Sequence, residues 1–285
     1  MRGESTIMWK LIKHDFIAGG KKNIIKFIVI AAFCIFTCQL LKNKMIAASN
    51  AGKIQFTGIS FGDYITYIFG GMEKYIVRKG KDFELPVIWM TMQMLLCSLV
   101  FLYPVKDLLG NGMNVLVQYG SRRKWWFSKC IWAISQVVIY YLVVFASVLL
   151  YTVFTGNISD VNMSINSSVQ NLVTGAAFVT TKLNLFMVLP IIIYSFFIVM
   201  VQVTAAMIIS PIVGILVVLV YDILSAYIMN RLLFANISML LRNSLVVSNG
   251  ITSIFPMLMC IAIIILLMLF STIYFNRCHD ILNSK

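Results

Sequence analysis

The sequence predicts an all-α polytopic membrane protein, with six transmembrane helices, an N-terminal interfacial helix and a cytoplasmic coupling helix in one transmembrane domain over residues 1–285. Three observations carry this. Of the 285 residues, 60% are hydrophobic and only 12% charged, a balance no ordinary soluble domain shows. Several uncharged runs exceed the eighteen residues needed to cross hydrocarbon about 30 Å thick. Most of the cations behind the net charge of +13 flank those runs, so membrane orientation accounts for them before nucleic acid does.

Residues 5–20 place Ile7, Met8, Leu11, Ile12 and Phe16 on one helix side and Lys10, Lys13 and His14 on another, the pattern of an elbow lying in the interface. Gly19-Gly20 is expected to end it. Asp15 breaks the apolar arc near the helix C-terminus, where an anion is unfavourable. Either the helix tilts or frays there, or Asp15 pairs with a cation of the charged stretch 104–129 or of a partner protein. The first span is expected at 24–41, with Lys26 snorkelling to its edge. A 43–84 loop follows, long and aromatic enough to form a packed extracellular cap with one or two short helices.

The second span, 85–105, opens with Pro86 at a first helical turn. It delivers the chain to a charged island, Pro104 to Lys129. Val105, Leu108, Leu109, Met113 and Leu116 share one face, with Asp107, Asn111 and Asn114 opposite and Lys106 at the edge, so 105–121 reads as a short surface helix. Gly120 offers a left-handed stop and Ser121 a cap for the next helix. Arg122, Arg123 and Lys124 then fall in a first turn, where cations oppose the helix dipole. Anionic lipid or the groove of a partner protein would favour them. Trp125-Trp126 reads as an interfacial belt.

The third span is expected at 130–154. The polar loop beyond it carries Asn157, Asn162 and Asn166 in glycosylation sequons, read here as ordinary loop polarity. Leu183 to Tyr221 is uncharged for thirty-nine residues, too long for one span. It divides at Ser210-Pro211 into a hairpin of spans 183–208 and 211–229. Leu233, Ile237, Leu240, Leu241 and Leu245 then recur at helical spacing, so 230–253 is expected to dip into the outer interface. The last span is 251–275. With both termini cytoplasmic, 13 Lys and Arg fall inside and 10 outside, and the inside ones crowd the span ends.

The chemistry excludes more than it assigns. No phosphate-binding Gly-x-x-x-x-Gly-Lys-Ser/Thr loop occurs. The two histidines, His14 and His279, lie outside the spans, so intramembrane metal or nucleophilic catalysis has no obvious machinery. Gly58 to Gly62 spells Gly-x-Ser-x-Gly, but Ser60 lacks the strand-turn-helix setting of a hydrolase nucleophile. Cys34, Cys38, Cys97, Cys130 and Cys260 fall within spans and Cys278 in the tail, leaving no plausible extracellular disulfide. Asp222 is the one carboxylate well inside a span. It either meets Arg231 or water, or serves a transport path. Tyr140, Tyr141, Tyr194 and Gln202 are further candidates for such a path, although residues at this spacing usually pack between helices.

Two amphipathic elements, few buried charges and no motor suggest a membrane subunit driven from outside. The stretches MWKLIKHDF, GDYITYIFGG with LPVIW, and above all YPVKDLLGNG followed by YGSRRKWWFSKCIW resemble the type-two ABC transporter permeases. These are six-span bacterial exporter subunits, and the subgroup exporting amphipathic peptide toxins is the most similar. The resemblance covers essentially the whole chain. It implies no enzyme activity and no cofactor in this chain, with ATP and magnesium on two copies of a separate ATPase subunit. It also implies a second permease copy or a related permease, a peptide or lipophilic substrate, and the bacterial cytoplasmic membrane. The docking surface it implies comprises Lys106, Asp107, Leu109, Gly110, Met113, Tyr119, Ser121, Arg122 and Arg123, completed by Asp15 of the elbow. Two other classes fit the residues: an immunity or sensor protein that binds a membrane-active peptide without pumping, and a secondary transporter using Asp222.

Overall fold

The computed structural model describes residues 2–52, 58–76, 83–110, 122–156 and 158–277. Among them the chain is helical, without a named strand. The elements are α1 (Arg2–Asn50), α2 (Phe61–Phe69), α3 (Val87–Val100), α4 (Tyr103–Leu108), α5 (Arg122–Thr155), α6 (Ser167–Thr174), α7 (Leu185–Ile208), α8 (Pro211–Tyr227) and α9 (Ile254–Arg277). Five helical stretches are long and apolar enough to cross a membrane: Met8–Asn50, Val87–Leu108, Arg122–Thr155, Leu185–Ile208 and Ile254–Tyr274. α8 is as apolar but has 17 residues, about 26 Å at 1.5 Å per residue.

The first correction is at the N-terminus. The elbow and the first span are one 49-residue helix, about 74 Å long, so Gly19-Gly20 does not end a helix and the span does not stop at Leu41. Gly19 serves packing instead. A Cβ there would stand 2.6 Å from Trp132 Nε1 on α5, so only glycine lets the two helices approach. Gly19→Val is accordingly expected to lower stability by about 1–3 kcal/mol through overpacking, read as a drop in the unfolding midpoint of the purified protein. An unchanged midpoint would show that α5 is not seated there.

α1 and α5 run parallel, and a series of polar bonds fixes their register. Ser128 and Lys129 meet Asp15, Asn23 donates to Gln136 Oε1 at 2.9 Å, Tyr151 donates to Gln39 Oε1 at 2.6 Å, and Lys42 reaches the Thr155 carbonyl at 2.9 Å. Each partner lies 112 to 114 residues further along the chain. α9 returns to the N-terminal turns of α5, where Trp126 Nε1 donates to Ser271 Oγ at 2.8 Å. The start of α1, the start of α5 and the last turns of α9 therefore share one end of the bundle, together with most of the described flanking cations. Trp125 and Trp126 are buried between helices, not ranged as a lipid-facing belt. Cys34, Cys38, Cys97, Cys130 and Cys260 are buried free thiols that fill the packing.

The opposite end is closed by α2, α6 and residues 228–253, tied by isolated bridges such as Ser164 to Lys182 and Phe178 to Val247. α2 is wholly buried. Its cap is Ser60, whose hydroxyl accepts the Asp63 N–H at 3.1 Å while Asp63 Oδ2 accepts the Ser60 N–H, a capping box. That is what the Ser60 of the Gly-x-Ser-x-Gly pattern does. Burial raises the Asp63 carboxyl pKa above the usual carboxylate range, and bonds from Gln170, Asn166 and Ser60 offset part of this. Between α7 and α8 the chain turns at Ser210-Pro211, with Ser210 accepting from Val213 N–H and Pro211 opening the helix, as the sequence predicts.

Candidate functional site

The second expected span corresponds to one candidate crossing, Val87–Leu108, interrupted at Phe101-Leu102. α3 ends at Val100 and α4 begins at Tyr103, so the last carbonyls of α3 lose their helical partners in an apolar setting, a costly state unless other groups reach them. Three side chains do. Gln202 Nε2 of α7 donates to the Cys97 carbonyl at 3.1 Å, Lys26 of α1 to Ser98 at 2.5 Å, and Asn23 to Leu99 at 3.0 Å. Lys26 thus points into the protein and does not snorkel. Gln202 caps a helix break, and its Oε1 has no partner among the described residues.

α4, which follows the break, carries part of the site. Tyr103 and Asp107 are buried on α4; α1 contributes Asp15 and α5 contributes Ser128 and Lys129, each about 1% exposed. The Lys129 ammonium donates to Asp15 Oδ1 and, at 2.5 Å, to Asp107 Oδ2. The Tyr103 hydroxyl donates to Asp15 Oδ1 at 2.9 Å and Ser128 Oγ to Asp15 Oδ2. The rings of Tyr103 and Trp125 lie 4.9 and 5.2 Å from Nζ, close enough for cation–π attraction. One lysine therefore joins three helices. His14 Nδ1 stands 3.6 Å from Asp15 Oδ1 at the rim, and His14, Asp15 and Asp107 could offer ligand atoms within 4.8 Å of one another. The ammonium already occupies the place between the carboxylates that a cation would take, so the arrangement is a bridged ionic cluster.

The expected docking residues separate into buried and open sets. Asp15 and Asp107 belong to the cluster, so Asp107 is buried and not on a solvent face opposite Leu109. Leu109 is 68% exposed and Lys106 and Gly110 are exposed at the end of α4, which reverses the expected apolar face at Leu109. Arg122 is half-buried and Arg123 exposed at the start of α5. Met113, Tyr119 and Ser121 lie outside the described residues, as does the rest of the 105–121 helix beyond Gly110.

The expected path residues lie inside the packed bundle. Tyr140 donates to the Met92 carbonyl at 3.0 Å, and Tyr194 donates to Asp222 Oδ1. Asp222 is fully buried, and among the described residues its Oδ2 has no partner and it forms no ion pair. Arg231 is exposed and is not its counter-ion.

Sequence reasoning missed Arg242, which is 1% exposed. Its Nε donates to Met72 O at 2.9 Å, Nη2 to Glu73 O at 3.2 Å and Ala226 O at 2.6 Å, and Nη1 to Ser225 O at 2.5 Å and to Asn236 Oδ1. It caps the C-terminus of α8 and anchors the 70–76 segment. Burial lowers its pKa to about 10, with the charge answered by carbonyl oxygens. No family model matches the chain, and no curated protein matches it significantly.

Proposed function

We propose that this chain is the membrane subunit of an ATP-driven bacterial exporter of amphipathic or antimicrobial peptides, of the type-two ABC permease kind. It would act as a dimer, with itself or a related permease, on two copies of a separate ATPase subunit that holds ATP and magnesium. α8 would be a sixth crossing, and the cluster end, with both termini, would face the cytoplasm. The observation that favours this most is the Asp107–Lys129–Asp15 bridge. It makes a stiff joint of α1, α4 and α5, so a push on the segment between Lys106 and Arg123 would be carried into two long helices instead of being absorbed at the α3–α4 break. Such a joint suits a permease levered by a docked engine.

Arg122→Glu with Arg123→Glu is expected to cut substrate-stimulated ATP turnover of the reconstituted complex at least about tenfold, the effect of losing roughly 1.4 kcal/mol of docking energy, while membrane insertion is unchanged. Unchanged turnover would remove the docking assignment. The buried, half-bonded Asp222 supports a second reading, a secondary transporter. Transport that fails in Asp222→Asn and needs no ATP would favour it.

A further inference from the structure

At the end opposite the ionic cluster, a cavity of about 350 Å³ opens between the segment that follows α8 and the one that precedes α9, at the lower end of the size range of ligand sites. It is walled by Lys74, by residues 229–231 and by residues 249–251. Arg242 holds these walls together. Its guanidinium takes the carbonyls of Met72 and Glu73, just before Lys74, at 2.9 and 3.2 Å, and that of Ala226 at 2.6 Å. Its own carbonyl accepts the Ile251 N–H at 2.6 Å. Asn236, bonded to the same guanidinium, donates to the carbonyls of Ile228 at 3.1 Å and Asn230 at 3.0 Å. One buried residue and its partner therefore set the spacing of all three walls, so the cavity is formed before any ligand arrives, and a ligand bound there spends little on ordering the site.

Charge and surroundings define the ligand. Lys74 and Arg231, both exposed, line the cavity, and Asn230 and Asn249 add amides. Among the described residues neither cation forms an ion pair, and no carboxylate lines the cavity. Two cations around one preformed space favour an anion between them. The rim is apolar. Ile228 and Leu232 flank 229–231, Ile254 and Phe255 follow 249–251, and all four are exposed. Leu224 on α8 and Leu258 on α9 continue the exposed apolar surface away from the cavity. α9 is apolar enough to cross a membrane and begins three residues after Ile251, so the cavity stands where hydrocarbon gives way to the polar interface. A free phosphate would answer the cations and leave the rim bare, whereas a phospholipid answers both. A zwitterionic headgroup would bring an amine toward two cations with no carboxylate to receive it, so charge selects an anionic one.

We propose that this cavity holds the headgroup of an anionic phospholipid from the leaflet at that end. Its phosphate lies between Lys74 and Arg231, its headgroup hydroxyls meet Asn230 and Asn249, and its acyl chains run along the exposed apolar sides of α8 and α9. The inference does not rest on the exporter reading, since it uses only the walls, the charge and the rim of the cavity.

The test uses the purified full chain in a neutral detergent and phosphatidylglycerol labelled with a fluorophore at one acyl-chain end, followed by anisotropy. Saturable binding is expected, at least about tenfold tighter than that of phosphatidylcholine carrying the same label. Lys74→Gln with Arg231→Gln should weaken phosphatidylglycerol at least about tenfold. Lys21→Gln with Lys22→Gln, which removes two exposed cations toward the other end of the bundle, should leave its affinity unchanged. Unlabelled short-chain phosphatidylglycerol should displace the probe at least about tenfold better than inorganic phosphate, because only the lipid also covers the apolar rim. Absence of saturable binding, or equal binding of the two lipids, which is what partition into micelles gives, overturns the site. So does equal displacement by inorganic phosphate, or an equal effect of the two variant pairs. The headgroup comparison needs no variant, so misfolding cannot obscure the answer.

Discussion

Replacing Lys129 by methionine is expected to be among the most damaging single changes in the chain, with a loss of about 3–5 kcal/mol, the usual consequence of removing one partner from a buried charge pair. The size follows from what remains. Asp15 and Asp107 would face each other with under a tenth of their surface exposed and no cation between them, while Tyr103 and Ser128 would still donate to Asp15. Asp15→Asn and Asp107→Asn added to Lys129→Met should recover most of the loss, because the charge to be answered is gone. Unfolding midpoints of the three proteins in nanodiscs measure this. A midpoint unmoved in Lys129→Met would mean the lysine is not enclosed between the carboxylates.

Arg242→Met should cost a similar amount at the other end, about 3 kcal/mol or more. Four backbone carbonyls and the Asn236 side chain accept from one guanidinium. Lysine should rescue little, since a point ammonium cannot reach a fan of carbonyls on three segments. The damage should be local as well as global. Amide hydrogen exchange should accelerate in the last turn of α8 and the 70–76 segment more than in α1 or α5. Uniform acceleration would show that Arg242 is only one of many packing residues.

Five helices long and apolar enough to cross a membrane were legible because long uncharged runs have a single meaning there, and the Ser210-Pro211 turn was legible because its cap and its proline are adjacent letters. What the sequence does not display is register between distant helices. The sequence offers Asp15 a cation of the 104–129 island as one of two readings, but which cation it is emerges only when α1 is laid beside α5 with an offset of 114 residues and Lys129 meets it. Gly19-Gly20 reads as a stop because glycine usually ends helices, whereas here Trp132 on another helix requires the missing side chain. Asn23, Lys26 and Gln202 have no motif at all; their role exists only because α3 ends early and leaves carbonyls to be satisfied. Arg242 sits among leucines and serines that gave no hint of a buried hub.

The central claim is that the segment following the cluster is gripped by a cytosolic engine. A photo-crosslinking amino acid placed at Leu109, which is exposed at the end of α4, tests it in cells of the native host. The account predicts an adduct with a subunit carrying a phosphate-binding loop, its yield changing when ATP is trapped with vanadate. Labelling of the same position by a membrane-impermeant reagent added outside intact cells, with no protein adduct formed, would contradict it.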